Sequence, residues 1–260
     1  MLSLTSTELS MLIGSLWWPF CRIMGAFMIM PLLGNSYVPA TVRIFLALSI
    51  AALIAPMLPP VPPVDALSLG SLFLAVEQLL IGFMLALFLT ILIHVMTMLG
   101  TIMSMQMGLA MAVMNDPANG DTNPILSEWL QIFGTLIFLA LDGHLVGLNI
   151  IVDSFRLWPI GNGIFDLPLM GLISRMGWLF AASLMLAIPA VLAMLMVNIT
   201  FGVLSRAAPS LNIFSLGFPM TLLMGLICVF LSLSGIPTRY SDLCLDALTA
   251  MYQFIGGSHE

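Results

Sequence analysis

Long apolar segments, separated by short polar stretches rich in proline and glycine, follow one another along the whole chain. They cover about residues 9–33, 44–58, 72–99, 129–152, 176–204 and 211–234, and a shorter amphipathic segment follows at 240–254. A helix that crosses a bilayer needs about 20 mostly apolar residues. The pattern therefore predicts an all-α, polytopic membrane protein.

The stretches between these segments contain residues that interrupt helices. Five prolines lie in "APMLPPVPPVD" (55–65), and turn-forming residues fill "NDPANGDTNP" (115–124), "RLWPIGNGIFDLP" (156–168) and "SRAAPSLN" (205–212). Proline removes a helical hydrogen bond, and clusters of glycine, proline and asparagine mark turns. We expect helical hairpins with helices broken at proline or glycine, in a single membrane domain that covers residues 1–260.

One apolar run is too long for a single crossing of a membrane. Residues 72–114 are almost continuously apolar, although Glu77 and His94 lie within them. Either a tight break falls near Gly100, or the helix is not embedded in lipid along its whole length.

The low content of charged residues supports a membrane protein and argues against nucleic-acid binding. Charged residues make up 7% of this chain, whereas they make up about 25% of ordinary soluble domains. The net charge is −6 and the six basic residues are scattered arginines, so nucleic-acid binding has no electrostatic basis. The arginines are also too few to orient the helices by the positive-inside rule.

The sequence carries no signature of an enzyme or of a cofactor site. It has no GxxxxGK[ST] phosphate loop, no HExxH motif, no CxxC pair and no GxSxG turn. Cys21, Cys228 and Cys244 do not have the spacing of metal ligands. We therefore expect no enzymatic activity, no catalytic residues, no metal and no cofactor.

Small residues recur at every fourth position near the end of the long apolar run. This stripe consists of Gly100, Ser104, Gly108 and Ala112. Positions four apart lie on one face of a helix, and small residues there let two backbones approach closely. The stripe predicts a close helix contact.

Methionines accompany this stripe, since seven of residues 96–114 are methionine. Met103, Met107 and Met111 form a second stripe that ends at Met114, and an acidic loop follows. Methionine is flexible and fills irregular or changing gaps. These side chains either seal an opening, as hydrophobic constrictions do by excluding water, or merely fill gaps in a core.

Three ionisable residues beside apolar segments are candidates for polar contacts. Asp142 and His144, in "FLALDGHLVGLN", either relay protons or mark the end of a helix. Arg206, in "SRAAP", either pairs with a carboxylate of another subunit or lies in a loop at the membrane surface. The neighbouring proline favours the loop.

Three long stretches together carry a family resemblance: "PLLGNSYVPATVRIFLALSIAALIAP", "NPILSEWLQIFGTLIFLALDGHLVGLNIIVDSFRLWP" and "NITFGVLSRAAPSLNIFSLGFPMTLLMG". They resemble the FliR family, which comprises membrane subunits of the bacterial flagellar type III export apparatus. The resemblance extends over about residues 11–254. It implies a channel subunit for protein export that is needed for assembly of the flagellum, in the bacterial inner membrane at the flagellar basal body.

The resemblance also implies partners and an architecture. FliR-like subunits are similar to a P-type subunit fused to a Q-type subunit, and they join P-type and Q-type subunits in a helical export gate. In such a gate the apolar helices are largely buried against neighbours and lie outside the plane of the bilayer. An FlhB-like subunit and unfolded flagellar proteins are further expected partners.

The central loop of the family plugs the closed channel and corresponds here to about residues 106–122. The resemblance assigns a sealing role to Met103, Gln106, Met107, Met111, Met114, Asn115, Asp116 and Pro117. The principal methionine ring of such gates comes from the P-type subunits, so the resemblance implies an assisting role here.

Two other functions stay open at the level of the sequence. One is the homologous subunit of a virulence injectisome, which shares these motifs. The other is a proton-coupled transporter of small solutes, with Asp142 and His144 as its relay. A transporter would also be expected to show an internal repeat with paired broken helices, and the sequence shows none.

Overall fold

The chain folds into helices joined by short connections, in a computed structural model that describes residues 6–35, 37–59, 68–109, 124–207 and 213–257. The helices are α1 (Ser6–Phe27), α2 (Ala40–Ile54), α3 (Leu69–Gln106), α4 (Ile125–Ala140), α5 (Gly143–Leu157), α6 (Leu169–Ala207), α7 (Ile213–Leu233) and α8 (Ile236–Gly256). Two short 3₁₀ helices cover Ala55–Met57 and Ile164–Asp166. The described residues contain no strand, which agrees with the predicted all-α class.

Among the described residues, three helical stretches are long and apolar enough to cross a membrane: Ala40–Met57, Leu69–Gln106 and Leu169–Leu204. The pairs α4–α5 and α7–α8 bring the number to as many as five, if each pair counts as one broken span. The helices α1, α6 and α7 contain Pro19, Pro189 and Pro219. The described part of the chain thus confirms a polytopic membrane protein with broken helices.

The structure differs from the sequence-based prediction at two helix breaks. The predicted segment at 129–152 is two helices, because the chain turns at Asp142, whose φ of 54° lies in the left-handed region. A short polar side chain tolerates that region better than a bulky one. The alternative of a tight break near Gly100 is wrong, because α3 is continuous from Leu69 to Gln106.

The contacts divide the chain into two compact units. Unit 1 consists of Met1–Ile91, Asp142–Arg175 and Leu245–Glu260, and unit 2 of Leu92–Leu141 and Met176–Cys244. Each unit therefore draws on segments that are distant in sequence. That the chain works as a single domain stays a prediction.

In unit 1 the backbones of α1 and α3 touch at two glycines. A methyl group at Gly25 would overlap the carbonyl oxygen of Leu79, and one at Gly82 would overlap the carbonyl oxygen of Arg22. The hydroxyl of Thr90 donates to the carbonyl oxygen of Ile29 at 2.7 Å, which extends the same contact. Only glycine permits this approach, which is the usual role of small residues between apolar helices.

In unit 2 a glycine of α4 makes room for a side chain of α3. A methyl group at Gly134 of α4 would lie 2.6 Å from Cγ of Met96. The phenolic group of Tyr240 donates to the carbonyl oxygen of Leu92 at 3.4 Å, and Ser183 donates to that of Val95 at 3.2 Å. These bonds satisfy polar groups that have no water to bind inside the unit.

We expect Gly82→Ala to destabilise unit 1. The added methyl group overlaps the backbone of α1, and overpacking of this kind costs roughly 1–3 kcal/mol. The midpoint of thermal unfolding, measured by circular dichroism of the purified chain in mild detergent, should fall.

The matched control is Gly171→Ala in α6, where a methyl group meets no atom within 4 Å. Alanine favours a helix over glycine by about 1 kcal/mol, so the control should unfold at the same or a slightly higher temperature. Equal midpoints for the two variants would contradict the close contact.

Candidate functional site

A fully buried arginine joins three helices of unit 1. Arg22 of α1 has no exposed surface. Its Nε donates to Oε1 of Gln78 in α3 at 2.8 Å, and its Nη1 donates to Oγ of Ser154 in α5 at 3.0 Å. Its Nη2 donates to the carbonyl oxygen of Trp158 at 3.1 Å, and its Cζ lies 4.3 Å from the ring centre of Phe155. Hydrogen bonds and a cation–π contact together stabilise this buried charge.

A carboxylate accompanies this arginine. Glu77 is 6% exposed and interacts electrostatically with Arg22. Within the described part of the chain, Oε1 of Glu77 and Nε2 of Gln78 have no hydrogen-bond partner. Glu77 therefore offsets the buried positive charge of Arg22, while these two polar atoms stay without a hydrogen bond. The sequence reasoning missed Arg22, and the signal was an arginine inside the apolar stretch "WWPFCRIMGAF".

The small-residue stripe makes a close contact at its first position, in unit 2. A methyl group at Gly100 would overlap the backbone of Ser127 in α4. The hydroxyls of Thr101 and Ser127 are 3.0 Å apart and share a hydrogen bond. Ser104 is fully buried, and its hydroxyl has no partner in the described part. The start of α4 is thus fixed against the last turns of α3.

The third position of the stripe has another role. Gly108 lies beyond the end of α3 with a φ of 78°. Its N–H donates to the carbonyl oxygen of Met105 at 3.2 Å, and that of Leu109 donates to the carbonyl oxygen of Ser104 at 3.0 Å. These two bonds are the Schellman motif that ends a helix at a left-handed glycine. The expectation that Gly108 continues a helix face is wrong, because the glycine terminates the helix.

The first two methionines of the second stripe are covered by the chain itself. Met103 and Met107 are 3% and 1% exposed. Met107 packs so closely on α7 that a methyl group at Gly225 would overlap its Cγ. With Met194 they line a cavity of about 10 Å³, room for about one water molecule. Within this unit α6 and α7 cover both side chains, and their sealing role stays a prediction.

Other sealing candidates are placed differently. Gln106 is half-buried at the last position of α3 and lines the same cavity, whereas Met105 is 63% exposed. The remaining candidates lie outside the described residues: Met111, Ala112, Met114, Asn115, Asp116 and Pro117.

The polar candidates lie at helix ends. Asp142 is exposed at the break between α4 and α5, and its carbonyl oxygen accepts the N–H of Leu145 at 2.9 Å. His144 is half-buried in the first turn of α5, and its Nδ1 has no partner in the described part. Arg206 is exposed in the last turn of α6. The loop expected for Arg206 is wrong, because the helix continues to Ala207, where its terminal carbonyl groups favour a cation.

Comparison with known proteins identifies relatives along almost the entire chain. A family model described as bacterial export proteins, family 1, matches residues 13–247. The flagellar biosynthetic protein FliR of Pectobacterium carotovorum subsp. carotovorum is 33% identical over 259 residues, which cover 96% of this chain and 99% of the relative.

Two other bacteria have similar proteins of the same name. FliR of Escherichia coli (strain K12) is 35% identical over 227 residues, or 87% of each chain. FliR of Bacillus subtilis (strain 168) is 25% identical over 224 residues, which cover 84% of this chain and 85% of the relative. The resemblance stated from the sequence is confirmed: this chain belongs to the FliR family of bacterial export proteins.

Proposed function

We propose that this chain is a membrane subunit of the flagellar type III protein export apparatus and is needed for assembly of the flagellum. The observation that carries the proposal is the match to FliR proteins over almost the full length of both chains. Helices long enough to cross a membrane agree with it. Because the family is one of export proteins, the prediction that the chain is not an enzyme is confirmed.

The flagellar role is favoured over the two other functions. The relatives compared above carry flagellar names, which favours a flagellum over a virulence injectisome. The transporter hypothesis needs Asp142 and His144 as a proton relay. Asp142 instead lies at the turn between α4 and α5, with a φ in the left-handed region. A short polar side chain tolerates that conformation, so the turn accounts for an aspartate at this position.

The partners and the location are part of the proposal. We infer an inner-membrane position at the basal body, with P-type, Q-type and FlhB-like subunits as partners and unfolded flagellar proteins as cargo. Large apolar side chains exposed on α2 and α6 support this, among them Leu53, Met185 and Val203. Apolar surface of this extent needs lipid or other subunits to cover it.

The loop after α3 is the proposed seal of the channel, at residues 106–122. Its support is the way in which both of its ends are held. At one end Met103 and Met107 are buried against α6 and α7. At the other end Ser127 is fixed against Gly100. The described contacts thus fix the chain on both sides of the proposed seal.

Loss of the gene should abolish swimming and remove flagellin from the medium. Because the proposed subunit is needed for assembly of the flagellum, both are lost with the gene, and a plasmid copy should restore both. Motility assays and immunoblots of the medium measure this. Motility that survives while secretion of virulence effectors fails would instead assign the chain to an injectisome, and no change in either would reject the export function.

Removal of residues 110–117 should make the membrane leak ions while some export continues. The deletion retains Met103, Met107 and Gly108, so the described helices keep their contacts. Membrane conductance of cells that express the variant measures the leak, and recovery of the assembled complex in mild detergent shows that the variant is in place.

The control is a deletion of residues 60–64 in the proline-rich stretch, which is not part of the proposed seal. That variant should not change the conductance. Normal conductance in an assembled complex that lacks residues 110–117 would refute the sealing role.

A further inference from the structure

An open groove lies within unit 2, and no role described so far depends on it. Its volume is about 390 Å³, which is room for several side chains. One wall is the middle of α6, with Leu186, Pro189 and Ala193. The other wall is the end of α7 and the first turn of α8, with Leu231 and Arg239.

Exposed apolar side chains adjoin the groove on both walls. Ile188 and Leu192 of α6, and Ile227 and Phe230 of α7, are exposed and lie next to lining residues in the sequence. Contiguous apolar surface of this kind marks a contact with another molecule. This side of unit 2 therefore suits an apolar partner.

Small residues leave the groove accessible to a helix. Ala190, Ala193 and Gly235 line it, and small residues let a second helix approach closely. The hydroxyls of Ser232 and Ser234 donate to carbonyl oxygens one turn earlier, so they are engaged within their own helix. The groove thus fits the apolar face of a helix, which is a common mode of recognition.

Arg239 determines what such a helix must carry. It is the only charged residue among the described residues that line the groove. Its side chain is exposed, and within the described part of the chain it forms no ion pair, not even with the exposed Asp242 one turn later. An arginine that becomes covered by apolar surface is costly unless a carboxylate pairs with it. A partner that covers the groove must therefore supply that carboxylate.

We propose that this groove receives an apolar helix of another subunit of the membrane complex, with an aspartate or glutamate of that helix paired to Arg239. The inference rests on the proposed function, because the partner is a further subunit of the export apparatus. Ala190 and Cys228 line both this groove and the small cavity beside Met103 and Met107. The partner therefore also contacts α6 and α7, the two helices that cover these methionines.

The first test uses the assembled complex, purified in mild detergent through a tag on this chain. Ala193 is exposed at the groove wall, so a photoreactive amino acid there should form an adduct with another subunit. Mass spectrometry should locate the adduct on an apolar segment that has an aspartate or glutamate within about two helical turns. The matched control is the same amino acid at Ala181, which is exposed on α6 outside the groove and should not mark that segment.

The second test reverses the charge. Arg239→Glu should lower recovery of the marked subunit with this chain about tenfold or more, because two carboxylates then face each other in apolar surroundings. Exchange of the marked carboxylate for arginine in the partner should restore recovery. Because Arg239 is exposed in the chain alone, thermal unfolding of the purified variant should match that of the wild type, which separates a lost contact from a lost fold.

A third variant fills the groove without a change of charge. Ala193→Phe should lower recovery of the same subunit, whereas Ala181→Phe should not. An assembled wild-type complex without an adduct at Ala193, an adduct on a segment without a carboxylate, or full recovery with Arg239→Glu would overturn the proposal and leave the export function standing. A wild-type chain that recovers no flagellar subunit would instead reject the proposed function, and this inference with it.

Discussion

Close approach of helix backbones at small residues is the constraint on which both units depend. With 7% charged residues, the chain has few polar side chains to join its helices, so packing and backbone contact must do so. The backbone contacts at Gly25 and Gly82 hold α1 against α3 in unit 1, and the one at Gly100 holds α4 against the end of α3 in unit 2. A larger side chain at any of these positions would separate the helices and expose polar backbone groups to an apolar environment. At Gly225 the backbone of α7 instead makes room for the side chain of Met107.

The buried arginine follows from the same constraint. Because Gly82 brings the backbone of α1 against α3, Arg22 is enclosed and must find its partners inside the chain. It finds them on α3 and α5, at Gln78 and Ser154. Such directional bonds fix the rotation and register of the three helices, which apolar packing alone specifies less strictly.

The proposed export function uses this rigidity. The end of α3, the Schellman turn at Gly108 and the start of α4 are the described structure on either side of the proposed seal. Met103 and Met107 are buried there, so we propose that they support the seal and do not themselves close the channel. The exposed Met105 is the described methionine at this end of α3 that the chain leaves uncovered. A passive conduit of this kind needs no catalytic group of its own.

The sequence predicted the helices well because apolar runs and proline-rich stretches act locally. It failed where the outcome depends on a neighbouring helix. From the sequence, Gly100 is a position where a helix could break. In the structure α3 is continuous there and packs on Ser127 of α4. Gly108 shares the four-residue spacing of the stripe, yet it ends the helix, and spacing alone does not distinguish these outcomes. The burial of Met107 depends on α7, more than 100 residues later in the chain.

The central claim is that unfolded flagellar proteins pass beside the loop that follows α3. The most direct measurement places a photoreactive amino acid at Met105, which is 63% exposed, in cells with an export substrate stalled in transit. The account predicts an adduct of chain and substrate that forms only during active export, and none from the same amino acid at Phe230, an exposed position on α7. Active export without any adduct at Met105, or equal adducts at both positions, would contradict it.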